Sequence, residues 1–252
     1  MKLAICFSGQ PRFIKEVSPF IINNVIGDND VDVFAHLWFD DDLQNKPYKY
    51  GGNDWKEQRI PSTAIDDFNQ IYTPKAIKIE SSKKFLNSNL SDNYLPSLRR
   101  YKWGSIDNPN DPNFSVRDVN NITSYYYSLN QVCLLKKEHE YQNDFKYDYV
   151  IKIRTDSIIH NKIDYKTFDK QTVYYSGMQN QPDGMINDWF NFGGSKVMDA
   201  FMGCFPVLDF LIERCMKETD DAWCCELIHR KMLDYFCVNH QALPIHITLP
   251  RF

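Results

Sequence analysis

Apolar runs of strand length recur along this chain. LAICF (3–7), VDVFAHLW (31–38) and YVIKI (149–153) are nearly continuous in apolar residues, which is typical of strands buried on both faces of a sheet. AIKIE (76–80) alternates between apolar and polar positions, and TVYYS (172–176) is rich in strand-forming residues. The pattern predicts at least five strands, together with a short one that reaches Phe192 and a final one in PIHITLP.

Apolar residues at helical spacing separate these runs. The segment 13–26 has a helical pattern that Pro19 is expected to break, and 64–72 places its apolar residues on one short face. A longer helix is predicted over 123–143, where Thr123 and Ser124 are candidate N-caps. Further helices are predicted from Ser195, with an interruption at Pro206, and over 220–236.

Strands that alternate with helices predict an α/β fold. The crossovers favour a mostly parallel, Rossmann-like central sheet flanked by helices, in a single domain over residues 1–252. The segments 40–60 and 81–120 are rich in polar residues and show little periodicity, so they are predicted to be long loop excursions.

Composition excludes several classes of protein. The chain has 252 residues, of which 43% are hydrophobic, which is enough for a sizeable core. Its net charge of −4 gives no indication of a nucleic-acid surface. No apolar run is long enough to span a bilayer, and the N-terminal apolar stretch is too short for a signal peptide. We therefore expect a cytoplasmic protein without a transmembrane segment, for which peripheral membrane contact stays open.

Seven cysteines at irregular spacing predict free thiols in a reducing compartment. The count is odd, and the chain has no CxxC pair. A zinc site formed by Cys224, Cys225 and His229 is the alternative, although adjacent cysteines rarely both face one metal.

The most informative stretch is DYVIKIRTDSII, residues 148–159, in which a strand ends in Arg154, Thr155 and Asp156. Ligands of open α/β sheets bind beyond the carboxyl ends of the strands. One interpretation is an Arg154–Asp156 ion pair that closes the strand end. The other is that Asp156 holds a divalent cation or a ribose hydroxyl of a ligand while Arg154 approaches its phosphates.

A second candidate follows the first strand, in Ser8, Gly9, Gln10 and Arg12. Gly9 would let a ligand approach the backbone, and Arg12 could form paired hydrogen bonds with a diphosphate. Arg12 could equally be a solvated surface charge. His36, near the end of the second predicted strand, either points into the same crevice or is a hydrogen-bonded core histidine.

Two further segments suit sugar recognition. Asp188, Trp189, Asn191 and Gly193 combine a carboxylate with an aromatic ring and a glycine; the alternative is a core strand with an exposed aspartate. Glu226 lies inside a predicted helix and is a candidate base or hydroxyl acceptor, unless it is a solvated helix charge.

In this order the motifs resemble those of GT-A-like glycosyltransferases found in bacterial surface-polysaccharide loci and in large DNA viruses. The resemblance covers most of the chain outside residues 40–120, and YDYVIKIRTD is its most specific segment. A viral member would be expected in the host cytoplasm.

The resemblance implies a nucleotide-diphosphate sugar donor and a glycan or other hydroxyl-bearing acceptor. Residues 1–160 would hold the nucleotide, and residues 161–252 would form the acceptor and catalytic part. Mn²⁺ or Mg²⁺ would be bound at Asp156, but Arg154 stands where the family's acidic motif has its first aspartate. Asp188 and Glu226 would be the catalytic carboxylates, and Trp189, Asn191 and Gly193 would contact the acceptor. The alternatives are a catalytically silent nucleotide-sugar or glycan-binding protein and a sugar nucleotidyltransferase.

Overall fold

A seven-stranded, mostly parallel sheet forms the centre of the computed structural model, which describes residues 1–45, 48–50, 56–87, 114–177, 185–216 and 225–250. The strands of the chain are β1 (Lys2–Gly9), β2 (Asp30–Trp38), β3 (Tyr48–Tyr50), β4 (Lys56–Gln58), β5 (Ala76–Glu80), β6 (Tyr149–Ile153), β7 (Ile158–Ile159), β8 (Thr172–Ser176), β9 (Phe190–Gly193), β10 (Asn239–Leu243) and β11 (Ile247–Thr248). The central sheet has the order β10-β8-β9-β6-β1-β2-β5, and β3–β4 and β7–β11 form two small antiparallel pairs.

Helices cover both faces of this sheet. They are α1 (Ile14–Ile21), α2 (Asp41–Asn45), α3 (Ala64–Tyr72), α4 (Ser82–Asn87), α5 (Phe114–Gln142), α6 (Ser195–Met202), α7 (Leu208–Met216) and α8 (Cys225–Tyr235). A π-helical segment, Ile22–Ile26, extends α1. The predicted α/β class with a mostly parallel sheet and flanking helices is therefore confirmed.

Alternate residues of β1 divide the core into two layers. Leu3, Ile5 and Phe7 pack with α1 and α3, whereas Ala4 and Cys6 pack with α5 and with the helices that follow it. These β1 side chains are fully buried, as expected for a central strand with helices on both faces.

The order in which the chain adds strands to the sheet reverses between β1 and β6. From β1 the chain adds β2 and then β5 on one side, after which α5 returns it to place β6 on the other side of β1. Both neighbours are parallel to β1, so the carboxyl ends of β1, β2 and β6 lie at one edge. In open α/β sheets such a reversal leaves a crevice in which ligands bind.

Several predicted boundaries differ from the structure. Pro19 does not break the first helix but lies inside α1, where the Ser18 hydroxyl donates to the Lys15 carbonyl, four residues before the proline. That carbonyl is the one that proline leaves without an amide donor, so the hydroxyl offsets part of the cost.

Parts of the two predicted loop excursions are regular. Segment 40–60 contains α2 and the β3–β4 hairpin, and segment 81–120 contains α4 and the first residues of α5. Residues 88–113 lie outside the described residues, as do residues 220–224 of the predicted helix 220–236. Within the part of the chain that the structure describes, no helix combines the length and apolar character needed to cross a membrane. Cys6, Cys133, Cys204 and Cys237 are free thiols.

Candidate functional site

A cavity of about 250 Å³ opens at the carboxyl ends of β1, β2 and β6. Its wall brings together residues that are far apart in sequence: Ser8, Gly9, Gln10, Arg12, Trp38, Asn121, Ser124, Tyr125, Arg154, Thr155, Asp156 and Asp188. Eight of these twelve are predicted site residues. The volume is slightly below the range of about 300–1,000 Å³ typical of small-ligand sites, so the cavity suits part of a larger ligand.

Arg154 is the central cation of this cavity. Its Nε and Nη2 atoms each lie 2.9 Å from one oxygen of the Asp156 carboxylate, and its Nη1 is 3.5 Å from Oδ2 of Asp188. The side chain of Asp156 is only 3% exposed, whereas that of Arg154 is 26% exposed. A buried carboxylate therefore orients a partly exposed guanidinium, which is the group that an incoming anion would meet.

Thr155 joins the two strand ends that form the cavity floor. Its hydroxyl donates to the Gln10 carbonyl at 2.7 Å and accepts from the Arg12 amide at 3.1 Å. The side chain is almost fully buried, so this contact is shielded from water. Thr155 thus fixes the turn after β1 relative to the turn after β6.

The end of β1 exposes backbone to the cavity. Gly9 has φ +113°, a conformation that is strained for other residues, although a Cβ atom there would meet nothing within 4 Å. Ser8 is 5% exposed, and its hydroxyl has no hydrogen-bond partner. A buried hydroxyl without a partner at a cavity wall is available to a bound ligand.

Helix α5 supplies a wall that the sequence did not indicate. Asn121, Ser124 and Tyr125 lie on one face of α5 and line the cavity, because the helix crosses the sheet edge on its way to β6. Trp38, the last residue of β2, completes this side and stacks on Tyr127 at 5.7 Å between ring centroids. The spacing of residues 121, 124 and 125 on a helix was the only signal that could have identified this wall.

His36 is not brought into the cavity wall. Its ring is fully buried, with Nδ1 2.8 Å from the Ser128 hydroxyl and Nε2 2.8 Å from Glu80. Burial lowers the pKa of His36, and the hydrogen bond to Glu80 only partly offsets that effect. Of the two interpretations of His36, the structure therefore favours the hydrogen-bonded core histidine.

Three predicted acceptor residues also lie outside the wall. The Trp189 ring centroid is 6.0 Å from the Arg154 guanidinium, and the Trp189 carbonyl accepts from the Arg154 amide. Asn191 is fully buried and donates to the Asn187 carbonyl at 2.8 Å. At Gly193 a Cβ atom would lie 2.7 Å from the Thr172 carbonyl oxygen, so packing accounts for the glycine.

Glu226 is half-buried in the first turn of α8 and is not part of the cavity wall. Its carbonyl accepts from the Ile186 amide. Burial raises the pKa of Tyr125 well above its usual value, and the negative charge of Glu226 adds to this effect. Of the two predicted catalytic carboxylates, only Asp188 lines the cavity.

No protein-family model matches this sequence, and no curated protein is significantly similar to it. The geometry of the cavity is therefore the main support for any functional assignment.

The carboxylates as arranged do not fit a divalent cation. Both oxygens of Asp156 accept from Arg154, and Asp188 faces the same guanidinium. Among the described residues, no group of three histidine, cysteine or acidic side chains is placed to hold a metal ion, and Cys224 of the zinc alternative lies outside them. Mn²⁺ or Mg²⁺ at Asp156 stays a prediction.

Proposed function

We propose that the protein is a GT-A-like glycosyltransferase that moves a sugar from a nucleotide-diphosphate sugar to a hydroxyl acceptor. The observation that carries this proposal is the convergence of Arg12, Arg154 and the Gly9 backbone at the switch point of the sheet. Arginine forks and a glycine backbone that no side chain covers are suited to a diphosphate, and this place in the fold suits a nucleotide.

In this proposal Arg154 stabilises the leaving group. The diphosphate gains negative charge as the bond to the anomeric carbon breaks, and an oriented cation beside it lowers the barrier. The bidentate contact with buried Asp156 fixes the guanidinium plane before the substrate arrives, so little reorganisation is needed.

Asp188 is the better placed candidate base. It lines the cavity, its side chain is 15% exposed, and it lies at the edge of the Arg154 guanidinium. A carboxylate there would accept the proton of the acceptor hydroxyl as the sugar is transferred. Glu226 lies behind the wall and would act on the cavity by its charge.

Donor turnover tests the proposal. A panel of nucleotide sugars is incubated with the protein, with and without Mn²⁺ and a set of acceptor sugars, and released nucleotide is measured. We expect at least one donor to be hydrolysed slowly and transferred faster when an acceptor is present. Binding of a donor without any turnover would leave a nucleotide-sugar-binding protein, and failure of every donor to bind would contradict the proposal.

Matched aspartate variants locate the chemistry. We expect Asp188→Asn to lower kcat by about 100-fold, in the range typical of a lost general base, while donor binding is retained or strengthened because one negative charge leaves the wall. Asp234→Asn removes an exposed carboxylate, paired with Arg230 at 2.9 Å, and is expected to leave kcat unchanged. Equal losses in both variants would remove Asp188 from the proposed role.

A further inference from the structure

Directly behind the cavity lies a lysine that belongs to none of the predicted sites. Lys152 is on β6, two residues before Arg154, and is fully buried. Its ammonium donates to the main-chain carbonyl of Asp188 and lies 5.0 Å from the ring centroid of Tyr125. Asp188 and Tyr125 both line the cavity, so Lys152 is separated from it by one layer of residues.

The surroundings of Lys152 are polar, but the described residues provide no ion pair for it. Asn187 Nδ2, Asn191 Oδ1 and His229 Nδ1 are buried in this region without a hydrogen-bond partner. Burial lowers the pKa of Lys152 to about 8, against the smaller opposing effect of the Asp188 charge. A buried ammonium is costly, and one that is retained so close to a cavity calls for a functional explanation.

The charges around the cavity supply a functional explanation for this buried lysine. The described wall contains two arginines, Arg12 and Arg154, and two aspartates, Asp156 and Asp188, so its formal charges cancel. A neutral wall attracts a diphosphate weakly, since Arg154 already faces both carboxylates. Glu226 behind the wall adds a negative charge that would repel an anion, and Lys152 offsets it from a low-dielectric position where screening by salt is weak.

We propose that Lys152 is a positioning residue of this cavity: its buried ammonium anchors the Asp188 peptide and supplies the positive charge that keeps the described surroundings of the cavity from repelling a diphosphate. The proposal rests on the proposed function for the identity of the ligand. It extends that function by assigning part of the diphosphate affinity to a residue that no substrate touches.

Deprotonation of Lys152 would then weaken anion binding at alkaline pH. The charged or titratable groups that face it are Arg154 on the same strand, Asp188 before β9, Tyr125 on α5, and Cys225, Glu226 and His229 on α8. Arginine stays charged throughout, and burial raises the pKa of Tyr125 well above its usual range. Burial also lowers the pKa of His229 well below 6.5, so His229 stays neutral from pH 7 upward.

The test is a calorimetric titration with symmetric dimethyl diphosphate, whose charge does not change between neutral and alkaline pH. We expect the wild type to bind it at pH 7 and to lose about tenfold in affinity by pH 9.5, where Lys152 is neutral. Lys152→Met is expected to bind about tenfold more weakly at pH 7, with no further loss at pH 9.5.

Two more variants separate the charge of Lys152 from the effects of its neighbours. Lys152→Arg keeps the charge at both values of pH, so we expect it to retain affinity and to lose the pH dependence. Cys225→Ser removes the neighbouring thiol and should keep the wild-type profile. Wild-type affinity and an unchanged pH profile in folded Lys152→Met would overturn the proposal, as would a wild type that fails to bind the probe.

The outcomes separate this inference from the proposed function. Binding of the diphosphate with the expected pH profile, but no donor turnover, would sustain the role of Lys152 and contradict the transferase. Donor turnover, together with a Lys152→Met variant that binds the diphosphate normally, would support the transferase and contradict the role of Lys152.

Discussion

At the scale of single residues, two fully buried lysines show how surroundings determine what a charge does. Lys136 on α5 lies 2.9 Å from Glu140 and 2.6 Å from Asp199, and it also donates to Ser195. Burial lowers the pKa of Lys136, but these partners more than offset the effect and the net pKa is raised. In the part of the chain that the structure describes, Lys152 has a carbonyl partner, at Asp188, but no carboxylate, and its pKa is lowered. The first lysine holds helices together, whereas the second is costly to keep.

Substitution by methionine should therefore affect stability to different extents. Lys136→Met removes a cation from Asp199 and leaves Glu140 with one described cation, Lys146, and it is expected to lower the free energy of unfolding by about 3 kcal/mol. Lys152→Met removes a desolvated charge, which offsets the lost hydrogen bond to the Asp188 carbonyl, and is expected to stay within about 1 kcal/mol of the wild type. Urea denaturation at pH 7 measures both, and a Lys152→Met loss as large as that of Lys136→Met would contradict the contrast.

At the scale of elements, the strands were predicted better than the helices. The observed bounds of β5, β6 and β8 match the sequence patterns because β6 is nearly all apolar, β5 alternates and β8 is rich in strand-forming residues. The pattern missed β10, whose sequence NHQAL is largely polar, since it is a sheet edge paired only with β8. Helix α5 begins at Phe114 rather than near Thr123, because the polar sequence of residues 115–121 lacks helical periodicity.

Thr155 connects the turn after β6 with the turn after β1, and removal of its hydroxyl should weaken that connection. Thr155→Val keeps the shape but removes the hydroxyl that bonds to Gln10 and Arg12, so we expect a loss of about 1–2 kcal/mol in unfolding free energy and weaker donor binding. Thr172→Val, at an exposed hydroxyl next to Asp169, is the matched control and should be nearly neutral. Similar behaviour of the two variants in thermal melts and in binding would rule out the connecting role.

At the scale of the whole molecule, the sequence analysis named the two loops of the cavity and Asp188, but not the wall from α5 or the lysine behind it. Carboxyl ends of parallel strands converge, so Arg12 and Arg154 could be placed at one edge from the order of elements. The wall from α5 depended on where that helix crosses the sheet, which no local pattern determines. Lys152 left one signal, a single charge inside the apolar strand YVIKI.

Two buried histidines make the stability of the molecule sensitive to mild acid. Burial lowers the pKa of His36 and of His229 below 6.5, so in that range the unfolded chain binds protons that the folded chain does not. Stability is then present above pH 6.5 and is lost as pH falls toward the folded-state pKa of each histidine, with a limiting slope of about 1.4 kcal/mol per pH unit for one proton. Burial also lowers the pKa of His160, which acts in the same direction.

Denaturation with urea at pH 7.5, 6.5 and 5.5 measures this effect. His229→Phe keeps an aromatic ring beside Phe201, whose ring centroid lies 4.4 Å from that of His229, and should reduce the loss of stability between pH 6.5 and 5.5. A pH dependence that is unchanged in His229→Phe would show that this histidine is not responsible.

The central claim is that the cavity between β1 and β6 binds the diphosphate of a nucleotide sugar through Arg154. Its most direct test is a calorimetric titration of a nucleotide-sugar panel into the wild type, Arg154→Met and Arg230→Met, each first shown to unfold cooperatively. Arg230 also pairs with an aspartate, at 2.9 Å from Asp234, but is not part of the cavity wall. The account predicts saturable binding of at least one donor, a loss of about tenfold or more in Arg154→Met, and wild-type affinity in Arg230→Met. Wild-type affinity in Arg154→Met, or no binding of any donor, would contradict it.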